Sequence, residues 1–441
     1  MIPEIDRLSL DQLLPGQLAY VPGMDLETLA KAAPARWVVY LMSDESDRPV
    51  QLLCVKNLRQ SLRRRLGGEE TLVPGASKRV DYRQLVRRIS FVGVDSPLEA
   101  DWVYYEAARR VFPDTYQAMV GFRPAWFVHV DPDARFPRYT KTTELAGRKG
   151  ELIGPLEDKH AAARLIELVE DAFDLCRYYN VLIQSPRGSA CAYKEMGKCP
   201  APCDGSISMD QYRWMVRWSA ATIVNPEPFV REQALRMEQA AAELRFETAG
   251  KIKAFVTQLS ELGQRGLRAA RRLEDFRYVS IQPGGRSKCA KVFLIWPGGI
   301  EIIACVRGLA LSPSPCTQGE GRGGGSALAS PSSEPTGPTP TLTLPLSTGR
   351  GDRNGIAELL RLVTERMESH KGESLDAIGV ERIGIVSQHL FTSKGSGVFV
   401  GMDRVDEATL SKAIDQVIRR KEPAESETQD EGVMRELASM E

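Results

Sequence analysis

Four of the chain's eight cysteines fall between Cys176 and Cys203, in the spacing C-x14-C-x7-C-x3-C. Gly188, Gly197, Pro200, Pro202 and Gly205 surround the sulfurs, a composition that bends the backbone back on itself and lets four thiolates converge. Four converging thiolates suit a soft metal, whether zinc or an iron–sulfur centre. In Cys199-Pro-Ala-Pro-Cys203 the prolines fix φ, hold two cysteines on one tight loop and remove backbone donors that would need partners. The competing readings are four unlinked cysteines acting as small hydrophobes, or a disulfide pair. A disulfide needs an oxidising compartment, to which nothing else in the sequence points.

At 441 residues the chain exceeds one ordinary core, and its length suggests about three domains. Its 58 Lys and Arg balance 58 Asp and Glu, so a nucleic-acid partner has to be sought in local clusters of charge. No run of about 18 apolar residues occurs, and Glu4, Asp6 and Arg7 stand where a signal peptide would be basic and then apolar. The expectation is a cytoplasmic protein without membrane contact.

Residues 36–125 read as a small α/β unit. Trp37–Met42 and Val50–Val55 are strand-like runs, Asn57–Leu66 is a helix closed by Gly67-Gly68, and a longer helix begins at Ser96-Pro97-Leu98-Glu99 as a capping box and ends near Val111. Arg59, Arg63, Arg64 and Arg65 on the first helix, with Arg83, Arg87 and Arg88 on the next, gather seven cations that would neutralise phosphates without reading sequence; a solvated charged face is the plainer reading. Trp126–Val130 is an alternating strand, followed by a stretch rich in Arg, Lys and Thr and a Gly154-Pro155 turn; His129 reads as a sheet residue and His160 as a surface helix residue. A helix over 158–173 delivers the chain to Cys176.

Beyond the cysteines, Asp210–Ile223 is helical with Tyr212, Trp214, Met215 and Trp218 on a core-facing side, and 228–262 reads as an alanine-rich helical pair. Strands follow at 277–281, 291–296 and 301–306, the last two joined at Pro297-Gly298-Gly299. Residues 312–351 are Pro, Gly, Ser and Thr with almost no large apolar side chain, the composition of a disordered insertion. A helix over 356–369, strands at 383–389 and 397–401, a helix over 407–420 and a charged tail complete the chain.

Cys176, Cys191, Gly197-Lys198-Cys199 and Cys203-Asp204-Gly205 resemble the cysteine-rich region of the UvrC family, the incision subunit of bacterial nucleotide excision repair. In that family the four cysteines hold an iron–sulfur cluster, so the resemblance implies a 4Fe-4S cluster on Cys176, Cys191, Cys199 and Cys203; spacing alone does not separate it from zinc. The unit at 36–125 looks like the GIY-YIG nuclease domain that opens UvrC proteins, with Lys56-Asn57-Leu58-Arg59 at the helix start and Glu106 on the Glu-bearing helix. Such a site needs a tyrosine, an arginine against phosphate charge, a glutamate for a divalent cation and a glycine that admits DNA. Here Val38-Val39-Tyr40 keeps the tyrosine and loses the glycine, Gln51-Leu52-Leu53 loses both, and Ser61 stands where the arginine would be. Groups that act as a unit are each worth about 3 kcal/mol or more, so Glu106 and Tyr40 would leave little activity. Arg64 and Arg65, one turn on, are the possible substitutes.

Met237-Glu-Gln-Ala-Ala-Ala-Glu-Leu-Arg-Phe-Glu247, continuing to Leu259, looks like the UVR motif, which docks on the matching hairpin of UvrB. The resemblance implies partner contact through Met237, Ala241, Leu244, Phe246 and Glu247; helical spacing alone makes them a hairpin core, and Lys253 stands where the family usually has an acid. Neither the carboxylate set of the second, RNase H-like nuclease nor helix-hairpin-helix repeats are visible.

The expected architecture is therefore α/β and α multi-domain. It comprises an extension at 1–35, a GIY-YIG-like α/β domain at 36–125, a strand region at 126–157, a helical cysteine-rich region at 158–227, a UVR-like hairpin at 228–265, and a C-terminal α/β domain at 276–311 and 352–420 around the insertion, with a disordered tail at 421–441. The expected function is a UvrC-like repair protein with a degenerate nuclease site. It would bind DNA through Lys56, Arg59, Arg63, Arg64, Arg65, Arg87 and Arg88 and dock a UvrB-type partner. The alternatives are an active one-cut nuclease using Mg²⁺ at Glu106, and a metal-stabilised interaction module with no DNA role.

Overall fold

Alternation of buried side chains along one strand organises the N-terminal half. A computed structural model of the protein describes residues 9–67, 81–260, 267, 269–307, 310–312, 353–372, 375–391 and 397–419. In its first sheet, β1 (Gly16–Ala19), β2 (Val38–Ser43), β3 (Pro49–Val55) and β4 (Arg88–Gly93) pair antiparallel in the order β1-β4-β2-β3. Val38, Tyr40 and Met42 face a cluster with Leu58, Leu62 and Leu66 of helix α2 (Leu58–Leu66), while helix α1 (Leu26–Ala32) packs beside α2 through Leu29. Val39 and Leu41 point through the opposite face, onto Leu98, Trp102 and Val103 of helix α3 (Pro97–Val111).

A second antiparallel sheet, in the order β6-β5-β7-β8, is built from β5 (Trp126–Val130), β6 (Thr140–Thr142), β7 (Glu151–Leu156) and β8 (Arg271–Arg272). Helix α4 (Lys159–Ala172), capped by the Asp158 carboxylate, covers it and leads into the cysteine loop. Helices α5 (Met209–Val224), α6 (Pro226–Ala242) and α7 (Phe246–Ser260) follow, the last two forming a hairpin. The third sheet, β12-β11-β10-β9-β13, uses β9 (Tyr278–Pro283), β10 (Cys289–Trp296), β11 (Gly299–Arg307), β12 (Ala310–Ser312) and β13 (Val398–Gly401). Helices α8 (Arg353–Ser369) and α10 (Glu407–Arg419) cover one face. Phe293, Ile295 and Ile300 point through the other into the core that contains α3, together with Ile383 and Val386 of helix α9 (Ala377–Phe391). No helix among the described residues is long and apolar enough to cross a membrane.

Several expectations are corrected. The segment expected as an extension supplies β1, the edge strand paired with β4. Arg88 opens strand β4, where a helix was expected; the strand's polar start hid its period. Gly154-Pro155 lies within β7 and not in a turn, and glycine is required there because a Cβ would stand 2.6 Å from the Phe127 ring. The run Ile383-Gly-Ile-Val-Ser-Gln-His389 is helical, inside α9: a short apolar run reads alike as a buried strand or a helix buried all round, and this helix lies between α3 and β11. Gly384 permits close approach to the Phe122-Arg123 segment, since a Cβ would meet the Arg123 carbonyl at 2.9 Å. Glu99 does not close a capping box; one oxygen accepts from the Asp95 amide and the other from Lys291. Trp214 and Trp218, expected in the core, are 59% and 37% exposed and stack on each other. The expected insertion beyond Ser312 and the tail from 420 lie outside the described residues.

The first and third sheets meet through buried charge. Lys291 of β10 stands 2.6 Å from both Asp95 and Glu99 at the start of α3, and Arg36 pairs with Asp95. Burial pushes Glu99 up, with Asp95 adding to the shift; for Lys291, burial is outweighed by the two carboxylates, which raise it. Lys291→Ala should leave two desolvated carboxylates sharing one arginine and cost about 3–5 kcal/mol, read as a lower urea midpoint at unchanged slope.

Candidate functional site

The cysteine loop is set by local hydrogen bonds. The Gly188 amide donates to the Cys203 carbonyl at 2.8 Å and the Ser185 hydroxyl to the Pro202 carbonyl at 2.6 Å. Ala201 and Gly205 take left-handed backbone angles on either side of the Pro202–Asp204 turn, which is how the Cys-Pro-Ala-Pro-Cys segment closes. Lys194 ties the loop to the preceding helical turn through Asp204 at 2.5 Å and Ser206 at 2.7 Å. Hydrogen bonding to Lys194 and Ser206 holds the Asp204 carboxyl at about 2.

Cys176, Cys199 and Cys203 are buried and close together, and Cys191 is half-buried ahead of the short helix Ala192–Glu195. The Cys176 thiol donates to the Tyr178 carbonyl at 3.6 Å; hydrogen bonding with Cys199 and burial push Cys176 up, while hydrogen bonding with Cys176 lowers Cys199 to about 7. The Tyr212 hydroxyl accepts the Cys176 amide at 3.0 Å from α5. The donor set fits a thiophilic metal in chemistry, with one thiol already poised to ionise. Among the described residues, no group of three or more His, Cys, Asp or Glu side chains stands in metal-holding geometry.

The nuclease-like residues are not brought to one place. The Tyr40 hydroxyl bonds the Ser61 hydroxyl at 2.9 Å inside the cluster under α2, and burial raises its pKa. Ser61 thus does lie against Tyr40, and Arg65 reaches Gln51 at 3.0 Å nearby. Glu106 is on the helix that covers the opposite face of the sheet. It has no exposed surface; the Arg382 guanidinium donates to its Oε1 at 2.9 and 3.0 Å, and Arg109 to its Oε2 at 3.0 Å. Arg382 also donates to the Gly298 carbonyl at 2.7 Å. Glu381, next to it, accepts from Tyr105, Tyr116 and Gln117 at 2.7–2.8 Å.

The basic helix is largely committed internally. Arg59 donates to the Ala30 and Ala33 carbonyls at the end of α1, Arg63 pairs with Glu27 at 2.7 Å, Arg87 donates to the Gln84 and Val86 carbonyls, and Arg88 pairs with Asp47 at 3.1 Å. The Lys56 ammonium sits 3.3 Å over the Trp37 ring. Arg64 also has an interaction partner. Sequence reasoning missed Arg382 and Lys291 altogether; a lone cation in an apolar stretch was the available signal.

The hairpin is rooted at its base and open at its tip. Phe255 of α7 packs edge-on against Phe173 and Phe229, and Leu259 is buried. At the turn, Leu244 takes φ 57° and is 73% exposed, Phe246 is 67% exposed, Ala241 and Glu247 are exposed, and Met237 is half-buried. Leu244 and Phe246 thus leave two large apolar side chains exposed at the tip.

Residues 125–221, which hold the second sheet, the cysteine loop and α5, match the family model of the UvrC/Cho excinuclease middle domain. The chain is 21% identical over 276 residues to the UvrABC system protein C of Acetivibrio thermocellus, covering 62% of this chain and 44% of the relative. It is 24% identical over 247 residues to that of Caldanaerobacter subterraneus subsp. tengcongensis (55% and 39%), and 22% over 279 residues to that of Clostridium botulinum strain Hall (63% and 44%). The chain therefore spans less than half the length of these curated relatives. No solved structure matches it.

Either Glu106→Gln or Arg382→Ala should strand the other's charge in a desolvated site and cost about 3–5 kcal/mol, with the double variant losing less than the sum; urea unfolding of all four proteins measures this. The similarity to UvrABC system protein C runs over 62% of this chain's residues, and the middle-domain match falls at residues 125–221.

Proposed function

We propose that the protein acts in nucleotide excision repair as a DNA-binding UvrC-type subunit that docks a UvrB-type partner and makes no incision with its N-terminal domain. The observation that carries the reading is the middle-domain match over 125–221, because it coincides with the loop on which Cys176, Cys199 and Cys203 gather. On this reading Cys176, Cys191, Cys199 and Cys203 hold one metal centre, a 4Fe-4S cluster or zinc, which would supply folding energy by cross-linking the segment that follows α4. The tip of the α6–α7 hairpin, with Leu244 and Phe246 exposed, is the docking surface for the partner's hairpin.

Absence of cleavage follows from charge and placement. A guanidinium on each side of Glu106 already neutralises it, so a divalent cation would have to displace Arg382 and Arg109 from a site without solvent access. Tyr40 cannot share a reacting centre with a carboxylate across the sheet, and a one-cut nuclease built on the two therefore lacks a common site.

Three measurements test this reading. Freshly made, reductant-protected protein should contain iron or zinc, lost on Cys199→Ser together with yield; protein with neither element ends the metal proposal. In a pull-down with a UvrB-type hairpin, Phe246→Asp should abolish capture while leaving metal content unchanged, and equal capture by both proteins would rule out the tip as the docking surface. The same purified protein should leave supercoiled DNA intact with Mg²⁺ or Mn²⁺.

A further inference from the structure

The residues on either side of Cys176 and the Arg-rich stretch after β5 form a surface that the metal and hairpin assignments leave unused. Tyr178 and Tyr179 follow the buried Cys176 after Arg177, yet are 47% and 39% exposed. The Arg138 guanidinium lies 3.9 Å from the Tyr179 ring centroid, Tyr178 packs at 5.8 Å against Tyr193, and Arg177 lies 4.7 Å from the Tyr193 ring on that side. Two guanidiniums, Arg138 and Arg177, thus lie against the rings of Tyr179 and Tyr193, with Tyr178 packed on Tyr193 between them. Lys141 on edge strand β6, three residues after Arg138, and Arg187, five residues after the turn, are also exposed, and among the described residues no ion-pair partner is found for Arg138, Lys141 or Arg187. This contrasts with α2, whose arginines are held by Glu27, Gln51 and the carbonyls of α1.

We propose that Tyr178, Tyr179 and Arg138 form a stacking platform for unpaired bases of single-stranded DNA, with Lys141 and Arg187 against its phosphates. The proposal rests on the DNA-repair reading above and locates its nucleic-acid contact on the cysteine module. Exposed aromatic faces beside uncommitted cations are the combination that single strands require: every base has a π-face for the ring, and every phosphate a charge for the guanidinium. Paired bases inside a duplex offer no such face, so the platform discriminates strand state and not sequence.

The test is fluorescence anisotropy of the metal-containing full chain with labelled oligo-dT and with a duplex of equal length. Oligo-dT should bind, and Tyr178→Ala/Tyr179→Ala should weaken it by about 5- to 150-fold per stacked base lost while affecting the duplex less. Tyr178→Phe/Tyr179→Phe should retain binding, because stacking needs the ring and not the hydroxyl. Arg138→Ala should reduce the slope of log K against log salt by about one. Unchanged oligo-dT affinity in the alanine variant overturns the platform, as does loss in the phenylalanine variant. Wild-type protein that binds duplex but not oligo-dT overturns the platform and leaves the DNA-repair reading standing. Protein that binds neither overturns both.

Discussion

A carboxylate with no solvent, Glu106, fixes how the two ends of this chain meet. Left alone in a low-dielectric interior it would be too costly to keep ionised, so its position is tolerable only where Arg382 and Arg109 reach it. Arg382 comes from a helix 276 positions later in sequence. The Lys291 cluster repeats the arrangement at the other end of α3, with two carboxylates against Lys291 and Arg36. Together these pairs fix the register of α3 against the third sheet, which the apolar contacts alone would leave free to slide.

The same arrangement keeps Tyr40 and Glu106 on opposite faces of the first sheet. Strand β2 sends alternate residues to opposite faces, so Tyr40 goes with α2 while α3 claims Val39 and Leu41. Once Ser61 takes the hydroxyl of Tyr40 and Arg382 takes the carboxylate of Glu106, each group serves packing on its own side of the sheet.

Local signals in the sequence located much of the fold. Ser96-Pro97, Asn57 and Asp158 mark their helix starts because short polar side chains satisfy the first amides, and each does so in the structure. The cysteine loop was legible for the same reason, since Pro200, Pro202 and Gly205 act within a few residues of the sulfurs. What could not be read were outcomes decided at long range. Ile383–Val386 has the composition of a strand and becomes helix because α3 and β11 both press on it. Trp214 and Trp218 have helical spacing suited to a core and yet lie at the surface, since α5 spends its buried side on Tyr212, Val216 and Ala220. Likewise, nothing near Glu106 in sequence announces Arg382.

Helix α3 has a further consequence during synthesis. Trp102 and its neighbours belong to a core whose other half includes Phe293, Ile295, Ile383 and Val386. At translation speeds of about 5–20 residues per second, roughly 14–55 seconds separate the emergence of Glu106 from that of Arg382. Over that interval Glu106 has only Arg109 and Arg110 of its own helix as partners, and the helix lacks the C-terminal half of its core. A ribosome that slows within the Pro- and Gly-rich stretch after Ser312 would prolong that interval.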